Sequence, residues 1–171
     1  MTIYTKKGDT GTSTLSESAR IPKSDIRFSL LGDLDELNSH IGLVKARLKS
    51  EGGGADDVLF LEDIQRALFT IGAHIYNMEN PDYFLPDEAA AALEAQIDAY
   101  GKLYTRTCFT LPGENMLAAE TDICRAIARR GERVFVKLSE AYAVHPNALA
   151  YVNRLSDYLY MFARVKGAGL V

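Results

Sequence analysis

Residues Arg125 to Arg133 read Arg-Ala-Ile-Ala-Arg-Arg-Gly-Glu-Arg, four arginines in nine positions of a chain whose formal charge is −4. A guanidinium is a flat, permanently charged fork that meets phosphate or carboxylate through parallel hydrogen bonds. On a helix, Arg125, Arg129 and Glu132 or Arg133 recur at steps of three and four, so they share one edge. Such a row suits a polyphosphate or the acids of a partner subunit. Its alternative is a solvated face paired locally with Glu120, Asp122 and Glu132. A second cationic group opens the chain. Thr5, Lys6, Lys7, Gly8, Ser13 and Thr14 offer ammonium, hydroxyl and backbone donors, the composition of a phosphate cradle, without the G-x-x-x-x-G-K-[ST] spacing of a Walker A loop. A frayed terminus accounts for the same residues equally simply.

Other polar residues carry weaker signals. Asp33, Asp35 and Glu36 cluster on the first helix, where carboxylates hold a metal, compensate the helix dipole or pair with arginine. Asp35 is expected on the inner side near Leu31 and Asn38, where burial demands a cation. Asn153, beside Leu149 and Val152, suits a purine edge or an interhelical hydrogen bond. His40, His74 and His145 are scattered, with no H-x-x-x-H pair and no serine or cysteine partner near in sequence. A hydrolytic triad or a helical zinc site therefore has little support, and the E-x-x-H spacing of di-iron bundles is missing. Cys108 and Cys124 lack C-x-x-C spacing and are expected as buried free thiols in a reducing compartment.

The elements that must position these residues follow from hydrophobic periodicity. Residues 1–23 read as an irregular arm rich in glycine and hydroxyls. Ser24 or Asp25 caps a helix to about Ser50, its inner stripe marked by Leu31, Leu34, Asn38, Ile41, Lys45 and Leu48. A second helix spans about Ala55 to Met78 through Leu61, Ile64, Leu68, Ile71 and Ile75. A third spans about Asp87 to Tyr104, and Arg106 to Gly113 looks extended. The fourth runs about Glu114 to Tyr142, with Leu117, Thr121, Cys124, Ala128, Gly131, Phe135, Leu138 and Tyr142 on one stripe. The fifth runs from His145 to about Lys166. Five long amphipathic segments without a convincing alternating strand predict an all-α five-helix bundle, one domain over 1–171 with the arm at 1–23 and the bundle at 24–167.

Composition sets limits. An apolar fraction of 47% over 171 residues is enough for a sizeable core. Net negative charge argues against general nucleic-acid binding and favours a small anion at a local positive pocket. No stretch approaches the roughly 18 apolar residues of a membrane span, and the first residues lack the apolar core of a signal peptide, so a cytoplasmic protein is expected.

In order along the chain stand Ile-Tyr-Thr-Lys-Lys-Gly-Asp-Thr-Gly, Arg20-Ile-Pro-Lys23, Gly32-Asp-Leu-Asp-Glu-Leu-Asn-Ser39, Phe109-Thr-Leu-Pro-Gly113, the Arg125–Arg133 segment and Asn153-Arg-Leu-Ser-Asp157. Together, from Ile3 to about Arg164, they resemble the ATP:cob(I)alamin adenosyltransferases of the propanediol-utilisation type. The resemblance implies a homotrimer of five-helix bundles that transfers the 5′-deoxyadenosyl group of ATP to cob(I)alamin, giving adenosylcobalamin and triphosphate. It implies ATP carrying Mg²⁺, with no metal site assigned to the protein, and cobalamin as the corrinoid substrate. It places Thr5, Lys6, Lys7, Gly8, Ser13, Thr14 and Lys23 around the triphosphate from one subunit. Arg129, Arg130, Glu132, Arg133 and Asn153 complete the site from the next. Arg125 pairs with Asp35 across the interface, and Phe109 presses on the lower face of the corrin. A cobalamin reductase and an adenosylcobalamin-dependent enzyme are the implied partners. The chain departs from the family pattern at Lys7, Ser18, Asp122 (commonly histidine), Gly131 and Ala163–Lys166. The rival functions are a non-catalytic nucleotide or corrinoid sensor or carrier, and a structural bundle with an arginine-rich partner surface.

Overall fold

The computed structural model describes residues 4–16, 19–105 and 109–170; Ser18, Arg106 and Cys108 lie outside them. Five helices dominate: α1 (Ile26–Ser50), α2 (Ala55–Tyr76), α3 (Glu88–Leu103), α4 (Met116–Ser139) and α5 (Pro146–Gly167). They pack side by side in the order α2–α1–α4–α5–α3. Among the described residues no helix is long and apolar enough to cross a membrane.

The arm is more regular than its composition predicts. Thr12–Ser16 (β1) and Ala19–Pro22 (β2) pair antiparallel, with Ser13 opposite Ile21 and Thr14 opposite Arg20. Hydroxyls occupy both faces of β1, so an apolar alternation never shows in the sequence. Leu15 is buried, and Pro22, lacking an N–H, closes β2.

Asp25 caps α1, its Oδ1 accepting the N–H of Arg27 at 2.9 Å, and its carboxylate also takes a two-pronged Arg27 fork. The buried stripe of α1 is Leu30, Leu34, Leu37, Ile41, Val44 and Leu48, at alternating steps of four and three. It shares Leu34, Ile41 and Leu48 with the expected stripe, and Asn38 is buried beside it as expected, whereas Leu31 and Lys45 are half-buried, a correction of the expected stripe. The remaining expected positions form a flank toward α2. There Asn38 and Gln65 exchange hydrogen bonds with each other's backbone carbonyls, and Lys45 reaches Gln65 at 2.7 Å. Asp35, expected on the inner side, is exposed.

The α4 stripe is buried as expected from Leu117 to Leu138, and the helix ends at Ser139 rather than Tyr142. Tyr142 keeps the period for another reason: its ring lies 4.8 Å beneath the Arg27 guanidinium. α2 likewise ends at Tyr76, two residues early, where Asn77 takes up extended backbone. Phe135, Phe162 and Leu30 are fully buried, each contributing about 1.5–3 kcal/mol by removal from water. Lys166 and Asp57, 2.6 Å apart, join the end of α5 to the start of α2, and Tyr100 donates to the same carboxylate at 2.9 Å. Burial and that carboxylate push the Tyr100 hydroxyl well above its ordinary pKa, which keeps it a donor.

His74 and His145, distant in sequence, meet. The backbone N–H of His145 donates to His74 Nε2 at 2.9 Å, and Phe84 stacks on the His145 ring at 4.3 Å. Burial, then the neighbouring His145, lowers the His74 pKa, so the imidazole stays neutral and accepts this bond. The pair seats the start of α5 on the end of α2. Cys124 is buried and its thiol is pushed up to about 12 by burial, so it is inert.

Asp25→Ala is expected to lower stability by about 1 kcal/mol at neutral pH. The side-chain bond from Arg27 holds the Asp25 carboxyl below its ordinary value. Its contribution is therefore complete above about pH 4 and is lost as pH falls through the depressed folded-state value. Urea titrations of wild type and variant should show a gap at pH 7 that narrows at pH 3.

Candidate functional site

Backbone geometry gathers the cations of the arm. Turn bonds from Asp9 N–H to the Lys6 carbonyl (3.3 Å) and from Gly11 N–H to the Gly8 carbonyl (3.2 Å) fold the loop. Lys6 sits at φ 58°, an uncommon conformation for a side chain with a Cβ, and Gly11 at φ 77°. Lys23 donates its N–H to the Gly11 carbonyl at 2.9 Å. Its side chain then lies so near Gly8 that a Cβ there would be 3.1 Å from Nζ. Arg20 clasps the loop, donating to the carbonyls of Lys7 and Thr12 and to the Thr12 hydroxyl. Thr5, Lys6, Lys7, Thr14 and Lys23 are exposed, with Gly8 and Ser13 half-buried. The added Lys7 ammonium is thus held outward by a clasp on its own carbonyl.

The arginine row of α4 divides by partner. Arg130 bridges to α1, with Nε 2.8 Å from Asp33 Oδ1 and Nη2 on Glu36. Two of the three carboxylates of the α1 cluster, Asp33 and Glu36, are therefore paired with arginine. A Cβ at Gly131 would meet Asp33 at an ordinary 3.6 Å, so the approach of α1 does not require glycine there. Glu132 accepts from Asn153 of α5 at 2.5 Å, the interhelical bond rather than a free amide. Arg133 donates to the Arg129 carbonyl at 2.8 Å. Arg129 is exposed and has no ion pair among the described residues. Local pairing within the row is confined to Arg125, whose Nε is 2.9 Å from Asp122; Glu120 pairs instead with Arg47 at 3.2 Å.

A cleft of about 270 Å³ brings Arg125 together with Phe109, Thr110, Pro112, Tyr160 and Arg164, with Asp122 in its wall. Arg164 is 1% exposed. It gives Nη2 to Asp122 and Nη1 to Glu114, the latter at 2.9 Å. The Asp122 carboxylate is therefore shared by two arginines. Sequence reasoning marked Asp122 as a local partner of the row and as a departure from a pattern, and Ala163–Lys166 only as a departure; the structure shows that these departures touch. The readable signal was an arginine among Leu159, Phe162 and Val165, a charge inside an apolar period.

Other expected groupings do not form within one chain. Asp35 lies on a shallow cleft between α1 and α2, beside Leu31, Asn38 and Phe69, and is not paired with Arg125. Among the described residues no hydrogen bond or ion pair joins the arm to α4. A cleft of about 640 Å³ beside Arg27, Asn77, Asn80, Tyr83 and Tyr142 contains none of the expected site residues.

With this geometry in place, comparison with known proteins is specific. The sequence model of the family described as cobalamin adenosyltransferase matches residues 3–166. A corrinoid adenosyltransferase of Bacillus subtilis is 40% identical over 170 residues, covering 98% of this chain and 88% of the relative. A cobalamin adenosyltransferase of Cupriavidus metallidurans is 39% identical, covering 95% and 86%. Among solved structures, a variant PduO-type ATP:corrinoid adenosyltransferase from Lactobacillus reuteri, complexed with cobalamin and ATP, superposes with a TM-score of 0.88. It is 31% identical, and the match covers 98% of this chain and 94% of that one.

Removing the shared carboxylate leaves Arg164 buried with half its partners. Asp122→Ala is expected to destabilise the fold by about 3 kcal/mol, measured as a shift in the urea midpoint at unchanged slope.

Proposed function

The chain belongs to the cobalamin adenosyltransferase family, and on that premise we propose that it transfers the 5′-deoxyadenosyl group of ATP to cob(I)alamin, giving adenosylcobalamin and triphosphate. The observation that carries this is the exposed row on α4, in which Arg129 has no acidic partner among the described residues. A row already neutralised along its length would have nothing to offer a polyphosphate.

The chemistry asks little of the protein's own acids and bases. Co(I) in the substrate is the nucleophile: a Co–C bond forms at the 5′-carbon, the C–O bond breaks, and its electron pair leaves on the triphosphate. What the chain supplies is alignment and stabilisation of the leaving charge. The histidine pair, used to seat α5 on α2, leaves no general base to explain.

Two half-sites follow from the separation of the arm and the row. Thr5 to Gly8, Ser13, Thr14 and Lys23 wrap the triphosphate with its Mg²⁺ from one subunit. Arg129, Arg130, Glu132, Arg133 and Asn153 of a neighbour complete the site, in a homotrimer. Asp35, exposed on α1, pairs with Arg125 of that neighbour, whose Nε is held by its own Asp122, and Arg129 faces the phosphates. Phe109, 93% exposed, covers the lower face of the corrin and keeps a water or base ligand off cobalt, which makes Co(II) easier to reduce. Reduction itself falls to a separate cobalamin reductase in the cytoplasm, and the product suits an adenosylcobalamin-dependent enzyme.

The deciding assay mixes the purified protein with chemically reduced cobalamin, ATP and Mg²⁺ and follows loss of the Co(I) absorption. ATP-dependent protection against melting without that loss would instead indicate a sensor or carrier. Arg129→Ala should lower kcat/KM about 100-fold and shrink the ATP-induced rise in Tm; near-normal kinetics would remove Arg129 from the site. Phe109→Ala should keep ATP affinity within about twofold while slowing the reaction from Co(II) by about tenfold or more; an unchanged Co(II) rate would end its assigned role.

A further inference from the structure

Phe109 and Leu111, 93% and 86% exposed, are the most exposed large apolar side chains of the described residues. A ring on a loop aligns nothing unless the loop is held. Among the described residues, these three bonds brace this one. The Tyr104 and Thr110 hydroxyls are 3.2 Å apart, Arg164 Nη1 donates to Glu114 at 2.9 Å, and Asn115 Nδ2 donates to the Lys166 carbonyl at 2.9 Å. Two of the three end on the last turns of α5. Gly167 permits the approach: a Cβ there would lie 3.0 Å from the Glu114 carboxylate.

Arg164 is an odd residue for so buried a position. Its Nε has no hydrogen-bond partner among the described residues, and an apolar side chain of similar volume would pack without that cost. What the guanidinium adds is direction. One prong is fixed on Asp122 of α4 and the other on Glu114 of the loop, with the Tyr160 ring 5.6 Å from its centre. Charges balance within the group, Arg125 and Arg164 against Asp122 and Glu114.

We propose that Arg164, acting through Glu114, is a positioning residue that sets where Phe109 stands over the cleft and, through the shared Asp122, ties that position to the arginine helix. The inference rests on the corrin-facing role proposed above for Phe109.

The test uses the intact protein with ATP and Co(II) cobalamin. Glu114→Gln, Arg164→Met and Arg164→Lys are compared for ATP affinity, for the absorption and electron-spin-resonance signature of bound Co(II) lacking its lower ligand, and for rates from Co(II) and from pre-reduced Co(I). Glu114→Gln should leave ATP affinity within about twofold, reduce the fraction of ligand-free Co(II), and slow the Co(II) reaction about tenfold against less than about threefold from Co(I). Arg164→Lys should recover part of what Arg164→Met loses. A merely structural role would lower Tm and leave the Co(II) signature in place, and that outcome overturns the proposal. Should Arg164→Met fail to fold, Glu114→Gln decides alone, since Glu114 is 29% exposed and tolerates substitution. If wild type itself gives no ATP-dependent change in the Co(II) signature, the role of Phe109 falls and this inference with it. If wild type changes and Glu114→Gln matches it, only the positioning role falls.

Discussion

One carboxylate, that of Asp122, is shared by two arginines at the junction of α4, α5 and the loop that carries Phe109. A buried charge is tolerated only when its partners come with it, because desolvation of either alone is costly. Placing Arg164 inside the bundle therefore obliges Asp122 to lie there too, and Asp122 in turn holds Arg125 against the helix. Glu114 takes the remaining prong of Arg164, and the loop is drawn down onto the end of α5. The apolar seam between α4 and α5 brings the helices together; the ion group determines how the loop above them sits.

The same helix serves two environments. Its stripe from Leu117 to Leu138 is buried, while its neighbouring edge carries arginine. Arg130 is turned onto Asp33 and Glu36 of α1, which leaves Arg129 and Arg133 as outward charges without an acidic partner among the described residues. The arm gathers its own cations by a different device, a short loop clasped by Arg20, and does not meet the row within one chain. An acidic protein with two separate positive sets fits an anion held between copies better than an extended polyanion on one face. Volume is a poor guide here: a cleft of about 640 Å³ holds none of these groups, and one of about 270 Å³ brings Phe109 beside Arg125.

The helices were legible because each repeats apolar residues every three to four positions for more than four turns, a signal that local noise does not erase. The cap of α1 was legible for the same local reason, Asp25 standing where the period starts, whereas Asn115 as the cap of α4 emerged only from the structure. The β1–β2 hairpin was hidden because β1, Thr-Ser-Thr-Leu-Ser, carries hydroxyls on both faces and β2, Ala-Arg-Ile-Pro, is too short to show an alternation. The inner face of α1 was legible at Leu34, Asn38, Ile41 and Leu48 and missed at Leu30, Leu37 and Val44, since Leu31 and Lys45, on the flank toward α2, continue part of the same period. A stripe centred on that flank would turn Asp35 inward, and it is exposed.

The order of motifs along the chain was enough to assign the family, and the arginine and lysine types alone pointed to a phosphate-bearing ligand. Which arginine is spent on an internal partner and which is left outward is another matter. It depends on carboxylates 3, 42, 94 and 97 residues away in sequence, and only packing of α1, α4 and α5 decides which of them arrive. The meeting of His74 with His145, and of Asp122 with Arg164, likewise has no local signature. Periodicity reports which way a side chain faces; partnership across helices depends on the distances that folding creates.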